Sequence, residues 1–429
     1  MAYLGATVLM PKPDGRVVVG DATHHFVQLR SAVFDRDLDF RNEYVRLYGL
    51  TREEPGTDWI FTELTPTGHV RNYMPVGPAI LWAPLYLLVA GLQTLLSLAG
   101  LVPRPDGFDR VLQAVPGATG VMAATAAAWL AWRLAVRWAS PIGASIGVLA
   151  VWLGSSAIYY SLVSPSYSHA ASMFATALFF LHWLSPRREW TVSQAAVSGA
   201  LAGFASLMRW QDALLLAIPA FEAVRMPQPW PRRLAAAAAA GLGWAVVFSP
   251  QMLVWHVLYG QALAVPQGPA FMQWLSPHPI AVLLSDNHGL LSWTPVIILS
   301  LAGLVAFARR HPRDAWPLAF VVLAAWYVNA AVADWWAGEA FGARRFLSLF
   351  PLFVLGLATW IRPAGAEDDP PRWRLGAIAA LVAVTWLLLL QYQVFMKGYP
   401  DIAPYPKGAF EFWVARFVVP FRLIAAWFA

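Results

Sequence analysis

An α-helix rises about 1.5 Å per residue and the hydrocarbon core of a bilayer is about 30 Å thick, so about twenty consecutive apolar residues can cross it. Runs of this kind dominate the chain, at about 78–101, 112–132, 142–163, 167–184, 193–208, 211–224, 234–258, 289–308, 315–333, 345–361 and 375–395. The breaks between them hold Pro, Gly and Arg, which end helices or anchor them at a membrane surface. Composition agrees: 59% of residues are hydrophobic and 13% charged, where a soluble domain carries about 25% charged residues. A chain this poor in charge cannot cover a water-facing surface. The expected fold is all-α, a polytopic transmembrane helical bundle.

Residues 1–10 are apolar but reach only half-way across a bilayer core, so they predict the tail of a first spanning helix whose beginning is missing. Neither a basic start nor a cleavage pattern marks them as a signal peptide. The stretch 11–77 is the polar part of the chain, with Arg16, Asp21, Asp35, Arg36, Asp37, Asp39, Arg41 and Glu43 among its charges. The tail 409–429 is apolar but interrupted by Glu411, Arg416, Pro420 and Arg422, the pattern of an interfacial helix. The run Ala235–Ala240, with Gly241 and Gly243 behind it, offers small residues for close helix contact, or in a plainer reading is an alanine-rich helix. Four regions result: 1–10, a remnant of the first transmembrane helix; 11–111, an external loop with juxtamembrane helices; 112–395, the transmembrane domain; and 396–429, an interfacial segment.

Parity of the crossings sets the topology. If 78–101 lies along the membrane and the chain turns back at Arg209, about ten complete spans remain. Arg133/Arg137, Arg187/Arg188, Arg225/Arg232/Arg233, Arg309/Arg310/Arg313 and Arg362/Arg372/Arg374 then share one face. The positive-inside rule makes that face cytoplasmic. The excess of Lys+Arg 30 over Asp+Glu 24 is accounted for by this topology, and no nucleic-acid partner is expected. The opposite face gathers the first loop, 164–169, 209–212, 259–288 and 334–344, and with them Asp21, His24, His25, Tyr73, His169, Arg209, Asp212, His288, Glu339, Arg344 and Arg345. Ionisable groups at a membrane edge are costly and are functional candidates for that reason.

Several chemistries are excluded. The chain has no Cys, which removes thiol catalysis, disulfides and Cys-ligated zinc. It has no Gly-rich phosphate loop ending in Lys-Ser/Thr and no His-Glu-x-x-His. Asp35-x-Asp37-x-Asp39 opens like a calcium loop, but Phe40 and Arg46 stand where such a loop needs Gly and a bidentate Glu. It reads as a solvated charge cluster. His24, His25, His169 and His288 match no ligand spacing, so no metal site is assigned; a divalent metal stays open.

Five short segments carry a resemblance: Gly20-Asp21-Ala22-Thr23-His24-His25, continuing through Ser31–Tyr44; Asn72-Tyr73-Met74-Pro75-Val76-Gly77-Pro78; Tyr167-Ser168-His169; Leu207-Met208-Arg209; and Gly338-Glu339-Ala340-Phe341-Gly342-Ala343-Arg344-Arg345-Phe346. In this order they resemble the external-loop motifs of the GT-C glycosyltransferases, nearest to the protein mannosyltransferase and aminoarabinose transferase branch. His169 departs from the acidic residue that many relatives carry there, Arg209 replaces a Lys, and the incomplete first helix departs from the family.

The resemblance implies an enzyme of the inner or plasma membrane with its site on the periplasmic or extracellular face. It would move a sugar from a polyprenyl-phosphate donor, held among membrane lipid, to an acceptor hydroxyl. Asp21 would be the general base, or in the plainer reading a loop Asp capping a helix. Arg209, Arg344 and Arg345 would hold the donor phosphate; the alternatives are interfacial anchoring for the Arg pair and an ion pair with Asp212 for Arg209. His24, Tyr73, His169 and Glu339 would line the acceptor or sugar pocket. No cofactor is implied. A transporter or flippase of a lipid-linked saccharide is the alternative; it would use the same basic pocket without cleaving a bond.

Overall fold

The computed structural model describes residues 16–48, 58–185, 190–338, 340–365 and 369–428. The remnant helix expected at 1–10, Arg187/Arg188 and Glu339 lie outside these. The described elements are helical, with only the isolated bridges Leu64–Val70, Ala139–Pro363 and Met272–Val332. In chain order the principal helices are α1 (Asp21–Arg30), α2 (Arg41–Tyr48), α3 (Gly77–Leu98), α4 (Arg110–Ala135), α5 (Pro141–Leu153), α6 (Ser168–Trp183), α7 (Val192–Met208), α8 (Ala217–Arg225), α9 (Trp230–Tyr259), α10 (Val296–Arg310), α11 (Pro312–Ala330), α12 (Phe350–Ile361), α13 (Arg372–Met396) and α14 (Ala415–Phe428). Every apolar run read from the sequence coincides with one or two of them.

Five helical stretches are long and apolar enough to cross a membrane by length and composition: Gly77–Leu98, Arg110–Ala135, Trp230–Tyr259, Arg344–Ile361 and Arg372–Met396. Pro141–Leu153 and Val192–Met208 are apolar but shorter. Arg209 is extended (φ −151°, ψ 124°) and ends α7; the 3-10 stretch Trp210–Leu216 and α8 then pack back on α7, so the chain reverses there.

The chain forms two compact units that interleave in sequence: unit 1 is Met1–Thr125, Tyr160–Ala175 and Arg187–Pro269; unit 2 is Ala126–Tyr159, Thr176–Pro186 and Ala270–Ala429. In unit 1 the polar stretch after residue 15 folds as a helical layer. Phe26, Val27, Phe40, Tyr44 and Tyr48 pack with Trp82, Tyr86 and Ala90 of α3. The α3 positions buried here, 79, 82, 86 and 90, recur at helical spacing, whereas Leu87, Leu88, Leu92, Leu95 and Leu98 are exposed. One seam of α3 therefore meets the layer, and its remaining apolar surface suits lipid. The layer is pinned to α9 as well: the Thr67 hydroxyl bonds the Leu258 carbonyl (2.5 Å), and Gln251 Oε1 accepts from Val76 N (2.7 Å).

Inside the layer, the Arg30 guanidinium bonds Glu43 Oε1 (2.9 Å) and the Asp106 carbonyl (3.1 Å), and it also pairs with Asp35. Burial pushes the Glu43 carboxyl up to about 7, against the opposing pull of Arg30. The other Asp35-x-Asp37-x-Asp39 oxygens serve the turn. Asp37 Oδ1 accepts from the Ser31 hydroxyl (2.6 Å), and Asp39 Oδ1 accepts from Arg41 N (3.2 Å).

Small residues set the closest helix contacts. In unit 1 the alanine-rich stretch of α9 packs tightly on α7: a Cβ on Gly199 would overlap the Ala240 carbonyl, and one on Gly243 the Ala196 carbonyl. The close-contact reading of Ala235–Gly243 therefore prevails over the plainer one. In unit 2, α12 packs on α10 and α5, with Gly303 against the Gly356 carbonyl and Gly147 against Ala358. Lipid gives helices no hydrophobic reason to associate, so such backbone approach supplies dispersion contacts in its place.

Gly303→Val forces α10 and α12 apart and is expected to cost about 1–3 kcal/mol, as overpacked cores do. Gly241, with nothing within 4 Å of a Cβ, is the matched control. Gly241→Ala should leave the unfolding temperature in detergent unchanged or raise it, and Gly303→Val should lower it. Equal melting of the two variants would refute the close-packing account.

Candidate functional site

In unit 1 three separated segments converge. The first is the start of α1. Gly20 adopts φ +57°, open to glycine at little cost, and its α-carbon faces the Tyr167 hydroxyl with no room for a Cβ. Gly20 is the N-cap, so Asp21 is not: it opens the first turn of α1, half-buried, where the helix dipole favours a carboxylate. Its charge acts on His25.

The second segment is Tyr167-Ser168-His169, at the entry to α6. His169 is buried, with its ring against Tyr160 (4.4 Å between centroids) and stacked at 6.4 Å on Tyr167. The third is Arg209. Its Nη1 lies 3.2 Å from Ser168 Oγ and 3.2 Å from His169 Nδ1, and its Nη2 lies 3.3 Å from Gln211 Oε1. Because guanidinium only donates, His169 Nδ1 accepts, and the ring proton sits on Nε2. The Asp212 carboxylate takes a hydrogen bond from the Ser172 hydroxyl (2.8 Å).

The other unit 1 candidates are held within the loop layer. His24 Nδ1 is 2.7 Å from the Tyr44 hydroxyl. Tyr73 lies beside the Arg71 guanidinium, which pairs with Glu63 (2.8 Å). Its neighbour Asn72 is buried, donating to the His24 carbonyl (2.8 Å) and accepting at its own carbonyl from Tyr259 (3.0 Å). These bonds fasten the end of the first loop onto α1.

His25 is fully buried. Its Nδ1 donates to the Pro75 carbonyl (2.9 Å), its ring meets Trp82 edge-on at 5.8 Å, and its Nε2 has no protein partner. Burial lowers its pKa to about 4, and the Arg209 charge pushes the same way, while Asp21 opposes. The Pro75 carbonyl and the Val76 N–H belong to one peptide unit, so His25 and Gln251 grip it from either end.

In unit 2 the two adjacent arginines part company. Arg345 is committed to Asp334, with Nη1 on its carbonyl and Nη2 on its carboxylate, both at 2.7 Å. Its anchoring is thus supplied by the protein. Arg344 lies against Gly338 and acts on His288. His288 adopts φ +65°, packs on Trp293 (4.4 Å) and lies 3.2 Å from the Tyr405 hydroxyl through Nε2. Burial drives its pKa down to about 3, helped by the charges of Arg344 and Lys407. Among the described residues no group of three or more His, Asp or Glu is placed to hold a metal.

Sequence reasoning gave no role to Ser168, although it stands inside the quoted Tyr167-Ser168-His169, and overlooked Gln211, Asp334, Tyr405 and Lys407. Lys407 carried a weaker signal, a lone cation in Tyr405-Pro406-Lys407-Gly408 between apolar stretches.

The pKa directions make a test. Folding keeps His25 neutral, so between about pH 6.5 and 4 the unfolded chain binds the extra proton. The His25 contribution is fully present above 6.5 and is lost toward 4, worth about 3 kcal/mol. Glu43 acts oppositely: its contribution, present at low pH, is lost as pH rises from 4.5 toward 7. His25→Asn keeps a donor for the Pro75 carbonyl but does not titrate. The difference in stability between wild type and this variant should shrink on acidification from pH 6.5 to 4, measured by thermal unfolding in detergent.

No family model matches the chain, and neither a curated protein nor a solved structure similar to it was found.

Proposed function

We propose that the chain is a membrane glycosyltransferase of the GT-C kind, taking its sugar from a polyprenyl-phosphate donor at the external face of an inner or plasma membrane. The observation that carries this reading is the convergence in unit 1 of a carboxylate at Asp21, the Tyr167–His169 edge and the Arg209 guanidinium, from three loops far apart in sequence. An acid–base group and a phosphate-binding cation near one another are what this chemistry requires.

The acceptor hydroxyl attacks the anomeric carbon while Asp21 takes its proton. The bond from that carbon to the phosphate oxygen breaks, and the lipid phosphate leaves with the electron pair. Arg209 offsets the charge that develops on the departing phosphate. His169 holds Arg209 through Nδ1, so it positions the cation here where relatives place an acid. A single in-line displacement inverts the anomeric centre. Because the lipid carries the activated sugar, no nucleotide-binding fold is required.

The test is turnover of a panel of radiolabelled polyprenyl-phosphate sugars by the purified protein. Asp21→Asn should lower the rate about 10²–10⁴-fold with the melting temperature kept. Arg209→Gln should lower it about 10²–10³-fold. The product anomer should be inverted relative to the donor; retention would exclude the single displacement. Movement of an intact lipid-linked saccharide across vesicles, with no bond broken, would replace the enzyme reading by a transporter.

A further inference from the structure

Two arms join the start of α1 to the end of α7 in unit 1. One runs through the candidate site, where Gly20 abuts the Tyr167 hydroxyl and Arg209 Nη1 meets Ser168 Oγ and His169 Nδ1. The other runs through the backbone of residues 72–77. On one side this segment is bonded to α1. Asn72 Nδ2 donates to the His24 carbonyl (2.8 Å), His25 Nδ1 to the Pro75 carbonyl (2.9 Å) and Gln28 Nε2 to the Met74 carbonyl (3.1 Å). From α9, Gln251 Oε1 accepts from Val76 N (2.7 Å). At the end of the segment, Gly77 lies so close to α7 that a Cβ there would overlap the Leu207 carbonyl.

Asp21 stands one helical turn before His25 on α1, and Arg209 stands two residues after Leu207. The two arms therefore close a ring that carries both groups, and a closed ring of short contacts fixes their separation where one arm would leave it free to vary. The polar atoms of His25 and Gln251 serve the second arm alone. Both side chains are buried, and the remaining nitrogen of each, Nε2 in both, has no hydrogen-bond partner among the described residues. The Pro75–Val76 peptide is thus the single partner of two buried polar side chains, held at its carbonyl by one and at its N–H by the other. Apolar residues would fill the same space at a lower desolvation cost. What they could not supply is a fixed hold on that peptide.

We propose that His25 and Gln251 are positioning residues: they clamp the Pro75–Val76 peptide so that residues 72–77 hold the α1 turn bearing Asp21 at a set distance from the α7 end bearing Arg209. The consequence for sugar transfer rests on the transferase reading; the clamp itself rests on the hydrogen bonds and the Gly77 contact. In that reaction the base serves the attacking hydroxyl and the cation the departing phosphate, on opposite sides of one carbon. A misplacement of about 1 Å in such an alignment can cost about 10²-fold in rate.

The experiment uses the full chain in detergent and reads two quantities. The first is backbone hydrogen exchange followed by mass spectrometry. His25→Leu, which fills the site without a donor, should speed exchange at residues 72–78 and also at the distant residues 205–212. His25→Asn, which keeps a donor for the Pro75 carbonyl, should exchange as wild type does at both. The second is turnover of polyprenyl-phosphate sugars. His25→Leu and Gln251→Met should each lower kcat about 10–100-fold with KM for the donor within about twofold, because lost alignment acts on the transition state. His25→Asn should recover most of the loss. Wild-type exchange at 205–212 in His25→Leu overturns the clamp, as does loss of protection spread over the whole chain in both His25→Leu and Gln251→Met. Wild-type kcat in those two variants overturns the positioning role, and so does a His25→Asn variant as slow as His25→Leu, which would give the imidazole a part in the chemistry. Exchange is read without turnover, so coupled exchange in a protein that transfers no sugar would sink the transferase and leave the clamp standing.

Discussion

Hydrocarbon offers no hydrogen bonds, so the backbone of a membrane-embedded segment must satisfy itself within a helix. That constraint governs where this protein can keep its polar chemistry. A helix has to stop before a side chain such as Arg209 can be supported by neighbours from another segment, and a stopped helix leaves carbonyls and N–H groups to be satisfied. The structure answers at each break. Arg209 ends α7 extended, its N–H on the Ala205 carbonyl. In unit 2 the Ser285–Gly289 turn is closed by its own bonds, including Trp293 Nε1 to the Asp286 carbonyl (2.7 Å). The helix ends and the candidate groups coincide because one requirement produces both.

Buried charge is handled in three different ways. Arg30 is compensated by Glu43 and Asp35 and lies over the Phe108 ring (4.5 Å), an arrangement that fastens the loop layer of unit 1. Removing one partner would leave the other uncompensated, which costs far more than the pair gains over an apolar replacement. Among the described residues no carboxylate pairs with Arg416 in α14: its Nε bonds the Phe412 carbonyl (2.6 Å), the Phe412 ring lies 4.1 Å from the guanidinium, and burial lowers its pKa to about 10. Arg345, mostly buried, is tied to the more exposed Asp334. Around Arg209 stand, among others, the side chains of Ser168, His169 and Gln211.

The apolar runs were legible because about twenty uncharged residues in a row have few other physical outcomes. The reversal at Arg209 was legible for a related reason, since one cation in an apolar stretch must find a polar edge. The contacts of the alanine-rich stretch were not, because a run of Ala and Gly permits close approach without specifying a partner. Gly199 lies some forty residues before Ala240 and carries no sign of it. The adjacent Arg344 and Arg345 read alike as a phosphate pair, yet Asp334 engages Arg345 and makes them unequal. Nothing local distinguishes two neighbouring arginines; only the folded loop shows that Asp334 is met by Arg345.

By itself, then, the sequence determined an all-helical chain with helices long and apolar enough to cross a membrane, many of the places where those helices break, and the residue types at those breaks. These follow from hydropathy and helix geometry, which act over a few turns of chain. Tertiary structure alone decided that Tyr167 meets Gly20, that His169 takes Arg209, and that Tyr405 meets His288. Such pairings depend on contacts between segments tens to more than a hundred residues apart. A hydrogen bond between them needs a distance near 3 Å and an aligned donor, and no local pattern of residues encodes that alignment.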